Sequence, residues 1–130
     1  MLTVSNIAKL FGVVFLLIGV LGFVPALTPD GNLLGIFAVN GVHNMIHLLS
    51  GAVALAAGFS GYKASKLYFQ VFGVVYGLVT LLGFFYMDMP ILGIVAHNTA
   101  DIFLHLVITA AALALGFGNF VKDDSHATVA

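Results

Sequence analysis

Apolar residues fill four long stretches of this 130-residue chain, and polar residues gather mainly at the joints between them and in two short stripes. The first stretch, 7–27, is long enough at about 20 residues per crossing to span a bilayer as helix 1. Thr28-Pro29-Asp30-Gly31-Asn32 then reads as a turn, because Pro fixes φ and Gly admits left-handed backbone. A second apolar run begins near Leu33. Asn40 is a good helix cap, so the crossing itself is expected at 40–59, with 33–39 as a helical extension or an interfacial segment. Residues 61–66 connect to helix 3, expected at 67–87, and Asp88-Met89-Pro90 stops it. Residues 91–96 mimic the earlier approach segment, and helix 4 is expected from Asn98 to about Phe120.

The pattern repeats. Phe11-Gly12-Val13-Val14-Phe15 matches Phe72-Gly73-Val74-Val75-Tyr76, Gly22 matches Gly83, Leu34-Gly35-Ile36 matches Leu92-Gly93-Ile94, and His47-Leu48 matches His105-Leu106. The reading is therefore an all-α integral membrane protein, a four-transmembrane-helix bundle of two tandem helical hairpins. It forms a single transmembrane domain over 1–130, with repeat one at about 7–60, repeat two at about 67–118 and a polar cytoplasmic tail at 121–130. Each repeat holds two crossings, so both keep one orientation and a pseudo-two-fold axis runs along the membrane normal. A cleavable signal peptide competes for helix 1, since Lys9 precedes an apolar run and Val24-Pro25-Ala26 offers small residues. A disposable segment should need no counterpart later in the chain, however, and this one has it in helix 3.

Helices in lipid pack through small residues, which lie at matching positions: Gly12, Phe15, Gly19 and Gly22 on helix 1, and Gly73, Tyr76, Gly77, Thr80 and Gly83 on helix 3. The polar stripes lie on the other two helices. Asn40, His43, Asn44 and His47 fall at helical spacing on helix 2, as do Asn98, Asp101 and His105 on helix 4. With the caps at Asn40 and Asn98, His43 and Asp101 sit in the first turn, and His47 and His105 lie about 10 Å along their helices. His97 is expected at the outer water interface, as an extra ligand or nothing more, and His126 in the tail is unremarkable.

Composition narrows the chemistry. Hydrophobic residues make up 62% and charged residues 7% of the chain, far outside the soluble range, so its partner is the lipid bilayer. The absence of Cys, Glu and Arg excludes thiolate sites, carboxylate-rich di-iron sites and guanidinium clamps. Four Lys and a net charge of -1 offer nothing to nucleic acid. All four Lys, at 9, 63, 66 and 122, fall on one side of the proposed topology, which places both termini in the cytoplasm of a plasma (inner) membrane and the His cluster in the outer leaflet.

Three readings of the His residues follow. His43, His47, Asp101 and His105 can form one metal site for Zn, Cu or Fe between helices 2 and 4, with Asn40, Asn44, Asn98 and Tyr76 in support. His47 and His105 can instead hold a haem or pigment, although no Arg stands by to hold propionates. The plain alternative is a hydrogen-bonded cluster that joins helices, with Asp101 and Asn98 serving as a helix cap. In that case the protein is a non-catalytic accessory subunit of a larger membrane complex, or a homo-oligomer. A proton relay is disfavoured, because below His47 and His105 these helices offer only Ser50 and Thr109. Ser50 beside His47 makes no hydrolase, since a helical Ser tends to bond its own i−4 carbonyl, and the reading leans away from an enzyme.

The paired motifs N-x-x-H-N-x-x-H-L, from Asn40, and N-T-A-D-x-x-L-H-L, from Asn98, resemble those of the uncharacterised membrane family called domain of unknown function 4383, over roughly 10–118. The resemblance implies a small four-helix bacterial membrane protein with no established activity. Its motif positions fall on Asn40, His43, Asn44, His47, Asn98, Asp101 and His105. Ile102 stands where the family pattern has a second Asn, so the resemblance does not extend to a fully symmetric site.

Overall fold

Four helices, α1 (Val4–Leu21), α2 (Gly41–Ser60), α3 (Tyr62–Tyr86) and α4 (Thr99–Phe117), carry the chain in a computed structural model that describes residues 2–119 and 121. Each is long and apolar enough to cross a membrane. The fold is the all-α, four-helix membrane architecture read from the sequence. The expected tail, with His126, lies outside the described residues apart from Val121.

The helix ends follow from local chemistry. Thr3 caps α1 by accepting from the Asn6 amide at 3.1 Å. α1 stops at Leu21, short of the expected residue 27, because Pro25 denies the residue before it helical backbone; two 3-10 turns, Pro25–Leu27 and Pro29–Gly31, follow. Asn40 caps α2 as expected, accepting from the His43 amide at 2.9 Å. α3 starts at Tyr62 rather than 67, since Gly61, at φ 108°, reverses the chain within one residue. Lys63 and Lys66 consequently lie in the first turns of α3 instead of in a loop.

The approach segments are neither helical extensions nor flat interfacial helices. In the first, β1 (Asn32–Leu33) pairs antiparallel with β2 (Phe37–Ala38). In the second, Ile91 bridges Val95. Each hairpin turns on the same dipeptide in left-handed backbone, Leu34-Gly35 at φ 55° and 73° and Leu92-Gly93 at φ 52° and 71°. Two successive left-handed residues turn the chain tightly, and with Ile36 or Ile94 they complete a three-residue connection between the paired positions; the left-handed backbone strains a Leu by roughly 1–2 kcal/mol.

Glycines set the distance within each helical hairpin. A Cβ on Gly12 would lie 2.7 Å from the Gly51 carbonyl oxygen, and one on Gly51 would lie 2.8 Å from that of Gly12, so α1 and α2 meet backbone to backbone. In the second hairpin a Cβ on Gly73 meets the Leu113 side chain at 2.8 Å, and one on Gly116 meets the Gln70 backbone at 2.6 Å. α3 joins the hairpins by packing on both α1 and α2. Its aromatic ladder fills the centre: Phe72 stacks on Tyr76 at 4.5 Å and on Tyr68 at 5.2 Å, and Phe11 of α1 meets the edge of Phe72 at 5.1 Å.

A crossed pair of hydrogen bonds ties the repeats together. Asn40 Nδ2 donates to the Ile94 carbonyl at 2.8 Å, and Asn98 Nδ2 donates to the Ile36 carbonyl at 2.9 Å. Each cap residue therefore holds its own helix through Oδ1 and the other repeat's hairpin through Nδ2. The two bonds exchange under a two-fold rotation, which is the symmetry that the duplication implies.

Candidate metal centre

His43, His47 and His105 come together beneath the two β-hairpins that lead into α2 and α4. Each is buried, and one ligand atom from each lies within 4.8 Å of the others. Ring centroids are 4.5 Å apart for His43 and His47, 5.7 Å for His43 and His105, and 6.3 Å for His47 and His105. Spacing along α2 brings the first two together, since four residues make about one turn, and His105 approaches from α4. The duplication places an aromatic ring beside each deeper imidazole: the edge of Phe15 meets His47 at 5.4 Å, and the edge of Tyr76 meets His105 at 5.0 Å. These rings fix the imidazoles in rotation without giving them a hydrogen-bond partner.

His43 has one firm partner. Its Nδ1 lies 2.7 Å from the Ala96 carbonyl oxygen. A carbonyl only accepts, so the proton is on Nδ1 and Nε2 presents a lone pair. That Nε2 is buried without a partner, as is Nδ1 of His47. Among the described residues no hydrogen bond links the three imidazoles to one another.

Asp101 stands outside the group. Its Oδ2 accepts from the Asn98 amide at 3.0 Å while Asn98 Oδ1 accepts from the Asp101 amide at 3.0 Å, a closed capping box. The carboxylate thus meets its own helix terminus, where the backbone amides and the dipole favour it. Asn44 turns toward α1, where a Cβ on Gly22 would fall 1.9 Å from its Oδ1, and that oxygen is buried without a partner. Its repeat mate Ile102 packs in the same way on Gly83. Asn40 and Asn98 lie at the rim as caps and clasps, and Tyr76 lines the floor beside His105. Thr80 reaches the α4 stripe, its hydroxyl 3.3 Å from that of Thr109.

His97 is buried, at 3% exposure, instead of lying at the water interface, because the 91–95 hairpin folds back over the helices. Its Nε2 has no partner. Burial pushes its pKa below the ordinary imidazole value, against the opposing pull of the Met89 backbone and Asp88. With His43, His105, Ser50, Tyr76 and the aliphatic side chains of α3, it lines a cavity of about 260 Å³. Sequence reasoning missed the Ala96 carbonyl altogether, since a main-chain acceptor leaves no mark on residue type.

Neither a curated protein nor a solved structure matches this chain. One family does: its sequence profile matches residues 6–118, a span that takes in both polar stripes, both Leu-Gly hairpin turns and all four helices except the first two residues of α1. On that match the chain belongs to the family described as Domain of unknown function (DUF4383).

Proposed function

We propose that this small membrane protein binds one transition-metal ion, Zn, Cu(II) or Fe, through His43, His47 and His105. The observation that carries the reading is the His43–Ala96 bond. It fixes the tautomer and aims a bare, buried lone pair at a site where two more imidazoles converge. A main-chain or carboxylate acceptor on the outer nitrogen is the usual companion of a metal-ligating imidazole. A polar cluster that merely joined helices would pair its ring nitrogens, and this one leaves His43 Nε2 and His47 Nδ1 buried without a partner. Three ligands around a tetrahedral ion at about 2.0–2.1 Å sit about 3.3 Å apart, so small side-chain rotations close the trio and a fourth position stays free.

Asp101 acts here as the cap of α4 and not as a fourth ligand. A haem between His47 and His105 is the weaker reading, because the His43 ring stands beside both, where the macrocycle would have to pass. Lys9, Lys63 and Lys66 all lie at the end of the bundle away from the His trio, which supports a cytoplasmic side there and an outer-leaflet site in a bacterial inner membrane.

The test is elemental analysis and Co(II) titration of the protein purified in mild detergent, beside His47→Ala and His105→Ala. Stoichiometric metal in the parent and its loss from both folded variants is the expected result. A metal-free parent that refuses Co(II) and co-purifies with a larger partner would instead make the protein an accessory subunit.

A further inference from the structure

Aligning the repeats on their caps sets Val39, before Asn40, against His97, before Asn98. Both are buried, so this place beneath each β-hairpin is an apolar one, which a valine fills in the first repeat. The imidazole in the second repeat brings a polar nitrogen into the interior, and His97 Nε2 has no partner there. Burial of a bare nitrogen costs stability, and no local structure requires it. The α4 cap is closed by Asn98 and Asp101 alone, and Asp88 holds Thr99 through its amide and its hydroxyl at 2.9 and 3.1 Å. The Met89 main chain acts on the other ring nitrogen, since Nε2 is unpartnered, and this leaves Nε2 as a lone pair in the manner of His43.

The repeats also differ in what they bring to the site. The first supplies His43 and His47, whereas the second supplies His105 and gives the place equivalent to His43 to the capping Asp101. His97 is the second repeat's other buried imidazole. It follows Ala96, whose carbonyl holds His43, and it lines the same cavity of about 260 Å³ as His43 and His105. His97 stands outside the 4.8 Å spread of the trio, so its ring has to turn about χ1 to reach them. Gly83 leaves room beside that ring, since a Cβ there would only touch its Cε1, at 3.5 Å. We infer that His97 is the fourth ligand of the proposed site, swung from the residue before the α4 cap into the position that the trio leaves free. Metal binding then closes a tetrahedron of four imidazoles, two from each repeat, and ties the segment between α3 and α4 down onto the bundle. Such a closed shell has no place for a substrate, so the ion serves structure or sensing and not Lewis-acid catalysis. The inference rests on the trio as a metal site and completes its ligand set.

The experiment titrates Co(II) into the full chain in mild detergent and reads the visible d–d bands, with azide as the probe of an open coordination position. The parent is expected to show intense tetrahedral bands that azide leaves unchanged. His97→Val, which installs the first repeat's residue, should still bind Co(II), at least about tenfold more weakly. Azide should shift the bands of this variant, and added imidazole should return them to those of the parent. If His97→Val does not fold in a detergent melt, His97→Ala is read in the same way, and the azide test on the parent needs no variant. Bands that azide shifts in the parent, or a folded His97 variant equal to the parent in affinity and spectrum, overturn the inference, and they overturn it alone when His47→Ala and His105→Ala still abolish binding. A parent that takes up no Co(II) overturns the trio as a metal site and this inference with it.

Discussion

His43 in the first hairpin and Asp101 in the second hold the same place, the third residue of a helix capped by Asn, yet they do opposite things. Asp101 can satisfy the amide of its own cap, so its carboxylate turns back and closes the box. An imidazole cannot accept at that place in the same way. His43 therefore swings its ring away from the helix end, takes the Ala96 carbonyl of the other repeat and joins His47 and His105. Duplication supplied two equal stripes. The residue at this one helical position makes the difference between a closed cap on one side and a member of the His cluster on the other.

The rest of the comparison runs through packing. The first hairpin brings glycine against glycine, at Gly12 and Gly51; the second has its close backbone approach at Gly116, against Gln70 at 2.6 Å, and sets Gly77 only against the Thr109 methyl at 3.3 Å. The crossed clasp, by contrast, is equal on both sides to within 0.1 Å. Symmetry is kept where the backbone is held and relaxed where side chains differ in job.

The largest effect should come from making the hairpins alike at the site. His43→Asp installs the second hairpin's residue, which can close a capping box on Asn40. Metal affinity should fall at least about a hundredfold, roughly 3 kcal/mol, while the thermal midpoint stays near that of the parent. Isothermal titration with Co(II) beside a detergent melt reads both, and unchanged affinity would remove His43 from the site. The converse change, Asp101→Asn, should leave metal affinity within a factor of about three and lower stability by about 0.5–2 kcal/mol through the lost carboxylate.

Next in size is the packing difference. Gly12→Ala drives a methyl into backbone and should destabilise by about 1–3 kcal/mol, whereas Gly77→Ala meets only a movable methyl and should cost less than about 1 kcal/mol. Equal losses in a steric-trapping or chaotrope unfolding measurement would contradict the closer backbone contact at Gly12 than at Gly77. Asn40→Ala and Asn98→Ala should then match each other at about 1 kcal/mol, because each removes one cap and one crossed bond. A large inequality would show that the clasp is not shared evenly.

The smallest effect concerns acid. The folded protein holds His97 below its ordinary pKa, so as pH falls through about 6.5 the unfolded chain takes up a proton that the folded chain resists. Stability contributed by this residue is present above that pH and lost below it. His97→Gln should flatten the fall in melting temperature between pH 7.5 and pH 5.5, by about 1 kcal/mol or less. An unaltered slope would mean that His97 titrates freely.

The four crossings, their pairing as tandem hairpins and the Asn40 and Asn98 caps were all legible in the sequence, because hydropathy, repeat register and cap chemistry are local and need no partner to be read. The sequence also put the four candidate ligands at matching offsets, His43 with Asp101 in the first turn and His47 with His105 one turn deeper, since helical spacing from the two caps carries them there. Tertiary structure decided the rest. Whether a carboxylate turns to its own helix or to a facing imidazole depends on competing acceptors a few ångströms apart, and only the folded chain brings the Ala96 carbonyl to His43. The two β-hairpins, the burial of His97 and the crossed clasp depend likewise on main-chain groups. Every residue carries those groups alike, so residue type does not reveal which of them will meet.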